Sequence, residues 1–258
     1  MRTFRSSVIA PASILLLAPL MSFATPVSGD LSITGDAIVG LDNLSFLCDI
    51  SGVPCSTGSS GAAHVTALSS GDFNQFGNDT AVVTNLSLAS QPINVPFTLD
   101  NWITFNVPSP NVSITLNEIL PGVYGQSQCL AGPAAGQTCT PIIPTLISPA
   151  NPSGLSPFNL SNTQNGSFAS FSVLGTAVNT VTGEKSQLIG IFSQEFAGKS
   201  YQSLLAKVAS PPFTITSPYS ANFTVVVPEP ASWSFMIGGL MLFGACILRR
   251  FVSGREQN

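Results

Sequence analysis

Short runs of alternating apolar and polar residues dominate the chain between residues 25 and 227. The alternation is clearest in three of these runs, at 103–107, 112–116 and 219–225. Because successive side chains of a strand point to opposite faces, this period predicts antiparallel strands with one buried face and one hydroxyl- and amide-rich face in water. The pattern therefore predicts a mainly β fold, specifically an antiparallel β-sandwich-like domain over residues 25–227.

Turn signals separate the predicted strands. Asn165-Gly166 can supply the two positive φ angles of a type I′ hairpin turn, and the segment 182–185 predicts the next turn. The proline-rich segment 140–157 cannot be a central strand, because proline lacks the backbone N–H that a sheet requires, and it predicts a long crossing loop.

One segment departs from the β pattern and predicts a short helix packed on the sheet. Tyr201, Leu204, Leu205 and Val208 recur at helical spacing. Ser200 is a suitable N-cap, and the two prolines after residue 210 predict the end of the helix.

Both termini carry apolar runs that differ from the middle of the chain. Residues 1–24 predict a signal peptide, with two arginines, an apolar stretch of about 13 residues that is too short to span a bilayer, and small residues that favour cleavage after Ala24.

Residues 231–248 carry no charge and would extend about 27 Å as a helix, which predicts a single transmembrane helix. Arg249 and Arg250 follow at once and predict a basic cytoplasmic tail over 249–258 that stops transfer.

Charge is scarce and negative in the middle of the chain. Only 8% of all residues are charged, and residues 25–227 hold three lysines against ten acids, a net charge of −7. A phosphate-binding surface needs clustered cations, so the composition argues against nucleic acid as a partner.

Four cysteines lie in the predicted exported domain. Six residues separate Cys48 from Cys55, and nine separate Cys129 from Cys139. Four cysteines allow three connectivities, and we favour the two local pairs because each spans a turn-like segment and an exported chain meets an oxidising compartment. Neither spacing is that of a zinc site, and the chain has one histidine, so disulfides are favoured over a metal.

Catalytic signals are weak. His64 is the single histidine and has no nucleophile elbow near it, so we interpret it as a surface residue near a strand start. The chain lacks phosphate-loop, dinucleotide and zinc-protease motifs, and no cofactor is predicted. Scattered acids leave a glycoside hydrolase open, but they are best explained as turn and solvating residues.

The segment 71–79, GDFNQFGND, allows two interpretations. Asp72, Asn74, Asn78 and Asp79 could offer oxygen ligands to calcium, with Gly77 at the sixth position of an EF-hand-like loop. The twelfth position is Val83 instead of glutamate, and an Asx-rich turn between strands explains the same residues, so no metal site is predicted.

The C-terminal segment 228–258 carries a family resemblance. Pro228, Glu229 and Pro230, a glycine-bearing apolar helix, and Arg249 with Arg250 resemble the PEP-CTERM sorting signal, whose tail has also been labelled an ice-binding protein C-terminal domain. In that family an exosortase of Gram-negative bacteria recognises the proline–glutamate–proline motif at the membrane. The resemblance covers about the last 25 residues and implies no activity for the rest of the chain.

Together these features predict an exported cell-envelope protein and not an enzyme. Signal peptidase and an exosortase would process it, and it would be anchored in the inner membrane before reaching the envelope or extracellular matrix. We expect a structural or adhesive role in an exopolysaccharide or biofilm matrix. A carbohydrate-binding surface module is the alternative, in which exposed aromatics such as Trp102 would stack on sugars, although a core role for Trp102 is favoured. An envelope hydrolase is the third class.

Overall fold

The structure is a computed structural model, and it describes residues 26–40, 42–48, 59–107, 111–211 and 214–226. Twelve strands, one α-helix and two short 3-10 helices lie in this part of the chain. The helix is α1 (Tyr201–Val208). The strands are β1 (Asp30–Val39), β2 (Asn43–Phe46), β3 (Ser60–Val65), β4 (Thr80–Thr84), β5 (Leu86–Ser87), β6 (Leu99–Phe105), β7 (Val112–Ile119), β8 (Thr138–Cys139), β9 (Asn159–Thr163), β10 (Gly166–Asn179), β11 (Lys185–Ala197) and β12 (Ile215–Val226).

Eight antiparallel strands form a closed barrel. Their order is β11-β12-β1-β3-β4-β6-β7-β10, and pairing of β10 with β11 along their full lengths closes the sheet. The prediction of a mainly β, antiparallel fold with one short helix is confirmed, but the sandwich-like arrangement is wrong. A sandwich and a barrel share the same alternating pattern, and the pairing of β7 with β10, which are far apart in sequence, decides between them.

The barrel divides at one end, where two strands change partners. β1 pairs with β3 at Ile33 and Thr34 but with β2 over 37–39. β10 pairs with β7 over 173–179 but with β9 over 166–170. Both changes lie at the same end, which also holds α1 and the loops 121–158. We call it the loop end, and we define it by these loops, α1 and the β9–β10 turn.

The two ends of the described body lie together at the opposite end. Asp30, the first residue of β1, pairs with Thr224, two residues before β12 ends at Val226. The 3-10 helix Gly71–Phe76 packs at this end, where Asp72 accepts hydrogen bonds from the backbone N–H of Ser28 at 2.7 Å and its hydroxyl at 3.2 Å. We call it the chain-terminal end.

Large side chains fill the barrel. Phe192 stacks on Phe171 with ring centroids 4.7 Å apart and meets the ring of Phe223 edge-on at 5.5 Å. Gly190 precedes Phe192 on the inward face of β11, and a Cβ at this position would overlap the Phe223 ring and approach Cγ2 of Val173 to 2.8 Å. Glycine is therefore required there by the density of packing.

Most local predictions are confirmed. Tyr219, Ala221, Phe223 and Val225 all point inward from β12, as their alternation predicts. α1 begins after Ser200, whose hydroxyl accepts a hydrogen bond from the N–H of Ser203 at 3.3 Å. The proline-rich segment 140–157 forms no named strand and contains one 3-10 helical turn.

The predicted β9–β10 hairpin exists, but its turn differs from the prediction. Gly166 pairs with Thr163, so the two turn residues are Gln164 and Asn165 instead of Asn165 and Gly166. Neither turn residue has a positive φ, which excludes the type I′ geometry. Gly166 itself has φ 158°, and a Cβ there would overlap the carbonyl oxygen of Phe196. Glycine at this position therefore allows β10 and β11 to approach closely.

Candidate functional site

The barrel interior offers no room for a ligand in the part of the chain that the structure describes. The cavity beside Phe46, Phe171, Phe192 and Tyr219 has a volume of about 10 Å³. That volume is close to the minimum needed for a single water molecule. This interior cavity is therefore too small for a ligand.

Trp102 belongs to the interior and cannot stack on a sugar. Its exposed fraction is 0%, its indole N–H donates to the carbonyl oxygen of Thr84 at 3.1 Å, and its ring meets that of Phe223 edge-on. The alternation in β6 would put Trp102 on the outer face, opposite to Ile103. A bulge between Leu99 and Ile103, with Asn101 at φ 52°, turns the indole inward instead.

Two of the three tyrosines are also core residues. Tyr201 is 0% and Tyr219 is 4% exposed, whereas Tyr124 is 38% exposed. The Tyr201 hydroxyl donates to the carbonyl oxygen of Gln128 at 2.9 Å, and burial raises the pKa of this hydroxyl above its ordinary value. The expected core role of Trp102 is confirmed, and Tyr201 and Tyr219 share it.

His64 lies on the outer face of the barrel. It is exposed on β3, and its cross-strand neighbours are Thr34 of β1 and Thr80 of β4. The interpretation as a surface residue is confirmed, although His64 is the second-last residue of its strand and not near its start.

The segment 71–79 packs two phenylalanine rings against the barrel at its chain-terminal end. Phe73 and Phe76 are buried, and Phe76 stacks on Phe105 with centroids 3.9 Å apart. The Asp72 carboxylate is engaged by Ser28, as described above, and Asn78 turns the chain with φ 69°. Within the described residues, no three His, Cys, Asp or Glu side chains are grouped as metal ligands. The segment connects β3 to β4, as the turn interpretation requires, with residues 71–76 in a 3-10 helix.

A disulfide joins Cys129 and Cys139, as the local-pairing prediction requires. It closes the loop 129–139 at the loop end. The predicted partner of Cys48, Cys55, lies outside the described residues, and that pairing stays a prediction.

Three amide side chains fix this loop to β9 and α1. Asn162 is 6% exposed and donates through Nδ2 to the Oε1 atoms of Gln202 at 2.9 Å and Gln137 at 3.3 Å. Gln202 Nε2 donates to the same Gln137 oxygen at 3.0 Å. The Asn162 Oδ1 atom accepts from the N–H of Tyr201 at 2.9 Å. Sequence reasoning missed this network, because its members are far apart in the chain and amides carry no periodic signal.

An apolar cavity of about 70 Å³ lies beneath α1. Its two polar neighbours are already hydrogen-bonded: the Ser156 hydroxyl accepts from the N–H of Phe158 at 3.0 Å, and Gln194 Nε2 donates to the Ser217 carbonyl at 3.4 Å. Its apolar walls include Ile143, Leu160, Phe196, Leu204 and Val208. Because most of its wall residues are apolar, this cavity has the character of a packing space between α1 and the barrel.

A polar groove of about 520 Å³ opens beside the amide network. Its walls are the segments 133–135, 162–166 and 198–200, which come from the disulfide loop, the β9–β10 turn and the start of α1. Lys199 is the one charged residue among these described wall residues. The volume of the groove falls within the usual range of ligand sites. This groove is the best candidate functional site, and it can bind polar groups.

An exposed aromatic ring lies close to the groove. Phe168 is 37% exposed on the outer face of β10, two residues beyond Gly166. Its cross-strand neighbours are Glu195 of β11 and Ser161 of β9. An apolar ring flanked by a carboxylate and a hydroxyl can stack on the apolar face of a sugar while its neighbours bond the sugar hydroxyls.

The predicted processing residues lie outside the described part of the chain. This applies to Ala24, to Pro228, Glu229 and Pro230, and to Arg249 and Arg250. The predicted span 231–248 also falls outside it, and among the residues that are described no helix is long and apolar enough to cross a membrane.

Comparisons with family models, curated proteins and solved structures return no match for this chain.

Proposed function

We propose that this chain is an exported envelope protein that its C-terminal segment delivers to the cell surface, where the β-rich body has a structural or adhesive role in an exopolysaccharide matrix. The sequence of residues 228–258 motivates the sorting step. Pro228, Glu229 and Pro230 would be recognised by an exosortase, and Arg249 with Arg250 would stop transfer of the preceding helix.

One structural observation supports this proposal above the others. β1 begins and β12 ends side by side, with Asp30 opposite Thr224, so the N-terminal and C-terminal segments both leave the body at the chain-terminal end. β12 has 12 residues, and a strand of this length spans about 40 Å. An anchor following Val226 would therefore hold the loop end, with its groove and exposed Phe168, away from the membrane.

The body also has features suited to a structural role outside the cell. Its interior is densely filled, and a disulfide closes the loop 129–139. Dense packing and covalent closure stabilise a domain that has few charges at its surface.

The test of sorting uses the full chain in a Gram-negative host, with and without its exosortase. Intact mass and membrane partition of the mature protein are measured for the wild type, for Glu229→Gln and for the double variant Pro228→Ala with Pro230→Ala. Glu195→Gln is the matched control, because it removes the same charge from an exposed position on β11.

The expected result is a shortened, released species that appears only with the exosortase and is lost in both motif variants but not in the control. A full-length, membrane-bound chain in both strains would show an ordinary anchor and overturn the sorting proposal.

Direct carbohydrate binding is the second candidate, and exposure of Phe168 favours it. Replacement by alanine removes a ring that is already 37% exposed, so the fold should survive. We expect Phe168→Ala to lose retention on immobilised exopolysaccharide while its melting temperature falls by no more than about 4 °C. Unchanged retention would remove Phe168 from any sugar site.

A further inference from the structure

The polar groove at the loop end is built from three segments that hydrogen bonds hold together. The N–H of Gly136 donates to the carbonyl oxygen of Asn162 at 2.9 Å, which fastens the disulfide loop to β9. The N–H of Gly198 donates to the carbonyl oxygen of Asn165 at 2.7 Å, which fastens the start of α1 to the β9–β10 turn. The partly buried Gln137–Asn162–Gln202 network joins the first wall to the third. A groove whose walls are fixed in this way loses little conformational entropy when it binds a ligand.

The turn wall presents unused polar groups to the groove. Thr163, Gln164 and Asn165 are exposed and line it, and their side chains make no hydrogen bond to other described residues. One hydroxyl and two amides can donate to and accept from the vicinal hydroxyls of a sugar. This wall therefore matches the polar surface of a saccharide better than that of an apolar ligand.

Lys199 gives the groove a local charge opposite to that of the body. Residues 25–227 carry net −7, with three lysines against ten acids. Lys199 lines the groove, while no acid is among the described wall residues. Because salt screens charges over about 8 Å, this ammonium group supplies the positive potential at the groove wall, and the exposed Glu195, opposite Phe168, lies outside the wall residues.

We propose that this groove binds an acidic saccharide, with the Lys199 ammonium pairing with a uronate carboxylate and the 163–165 wall bonding the ring hydroxyls. The inference rests on the proposed matrix role and adds the ligand class to it. A charge-assisted hydrogen bond between ammonium and carboxylate would supply the selectivity for acidic over neutral sugars.

The three lysines of the body provide a matched test. Lys185 begins β11 at the chain-terminal end, and Lys207 is exposed in the last turn of α1 but does not line the groove. Lys199→Gln, Lys185→Gln and Lys207→Gln change the net charge equally. Each full-length variant is purified in detergent and titrated with a galacturonate pentamer and with a glucose pentamer by calorimetry, at low and at physiological salt.

The wild type should bind the galacturonate pentamer saturably and at least fivefold more tightly than the glucose pentamer. Lys199→Gln should weaken galacturonate binding about threefold to tenfold, and Lys185→Gln and Lys207→Gln should change it less than twofold. Affinity should fall as salt rises, and Lys199→Gln should reduce that dependence.

Three results would overturn the inference: no saturable galacturonate binding, equal binding of the two pentamers, or equal losses in all three variants. The last result would indicate a diffuse charge effect without a site. Processing of the tail does not involve Lys199, so Lys199→Gln should be cleaved by the exosortase as the wild type is. Normal processing without binding would thus reject this inference alone, whereas absent processing of the wild type would reject the proposed sorting function.

Discussion

Replacing Trp102 by alanine separates a core role from a sugar-binding role. The indole is 0% exposed, and removing a fully buried large aromatic costs about 3–5 kcal/mol. The change also leaves the Thr84 carbonyl without the donor that it has at 3.1 Å, and it removes the edge-on contact with Phe223. We expect the free energy of unfolding to fall by about 4 kcal/mol, which corresponds to a fall of about 8–16 °C in melting temperature for a domain of this size.

The assay measures thermal and urea unfolding by far-ultraviolet circular dichroism, a signal that reports backbone structure and does not require the tryptophan. Phe168→Ala is the matched aromatic control. The urea midpoint should fall by about 2 M for Trp102→Ala if the slope is about 2 kcal/mol per M. The control ring is 37% exposed, and its removal should cost about 1 kcal/mol. A Trp102→Ala protein that melts within 2 °C of the wild type yet no longer binds polysaccharide would refute the placement of the indole in the core.

Three further perturbations test other parts of the structure. Removing the disulfide with Cys129→Ser and Cys139→Ser should lower the free energy of unfolding by about 2.7 kcal/mol, because the unfolded chain regains the entropy of the open loop. Equal stability of the oxidised wild type and this variant in urea unfolding would contradict that expectation. Gly190→Ala should destabilise the barrel by about 1–3 kcal/mol, because its methyl group would overlap Phe223, and a neutral change in the urea midpoint would count against that packing. Since burial raises the pKa of Tyr201, the folded state holds this proton more tightly than the unfolded state, and stability should fall as pH rises above the ordinary tyrosine value of about 10. The Tyr201→Phe protein should lose less stability over that alkaline window, and identical pH profiles would exclude the effect.

Local features of the fold could be predicted because they depend on neighbouring residues. The alternation in β12, the N-cap at Ser200 and the presence of a turn between β10 and β11 each follow from positions a few residues apart. The turn was predicted over 182–185, whereas the connection covers 180–184 and Lys185 already begins β11. The hairpin turn was displaced by one residue, since Gly166 pairs with Thr163 as a strand residue and allows close approach to Phe196 instead of forming the turn. Strand packing outweighed the local turn preference at that position.

The candidate site could not be predicted from the sequence. Its walls come from residues 133–135, 162–166 and 198–200, which only the closing of the sheet brings together. Lys199 could be noted as one of three lysines between residues 25 and 227, but nothing near it in the sequence indicates a groove. The amides Gln137, Asn162 and Gln202 are likewise joined across as many as 65 residues.

By itself, the sequence determined the β character of this chain, its short helix and its cysteine pair at 129 and 139. These follow from short-range period, capping and composition. Tertiary structure alone decided that the sheet closes into a barrel, that a bulge turns Trp102 inward, and that a lysine and free amides share one groove. The physical reason is that pairing between distant strands depends on how the whole set of side chains can be packed, and no local pattern records that choice.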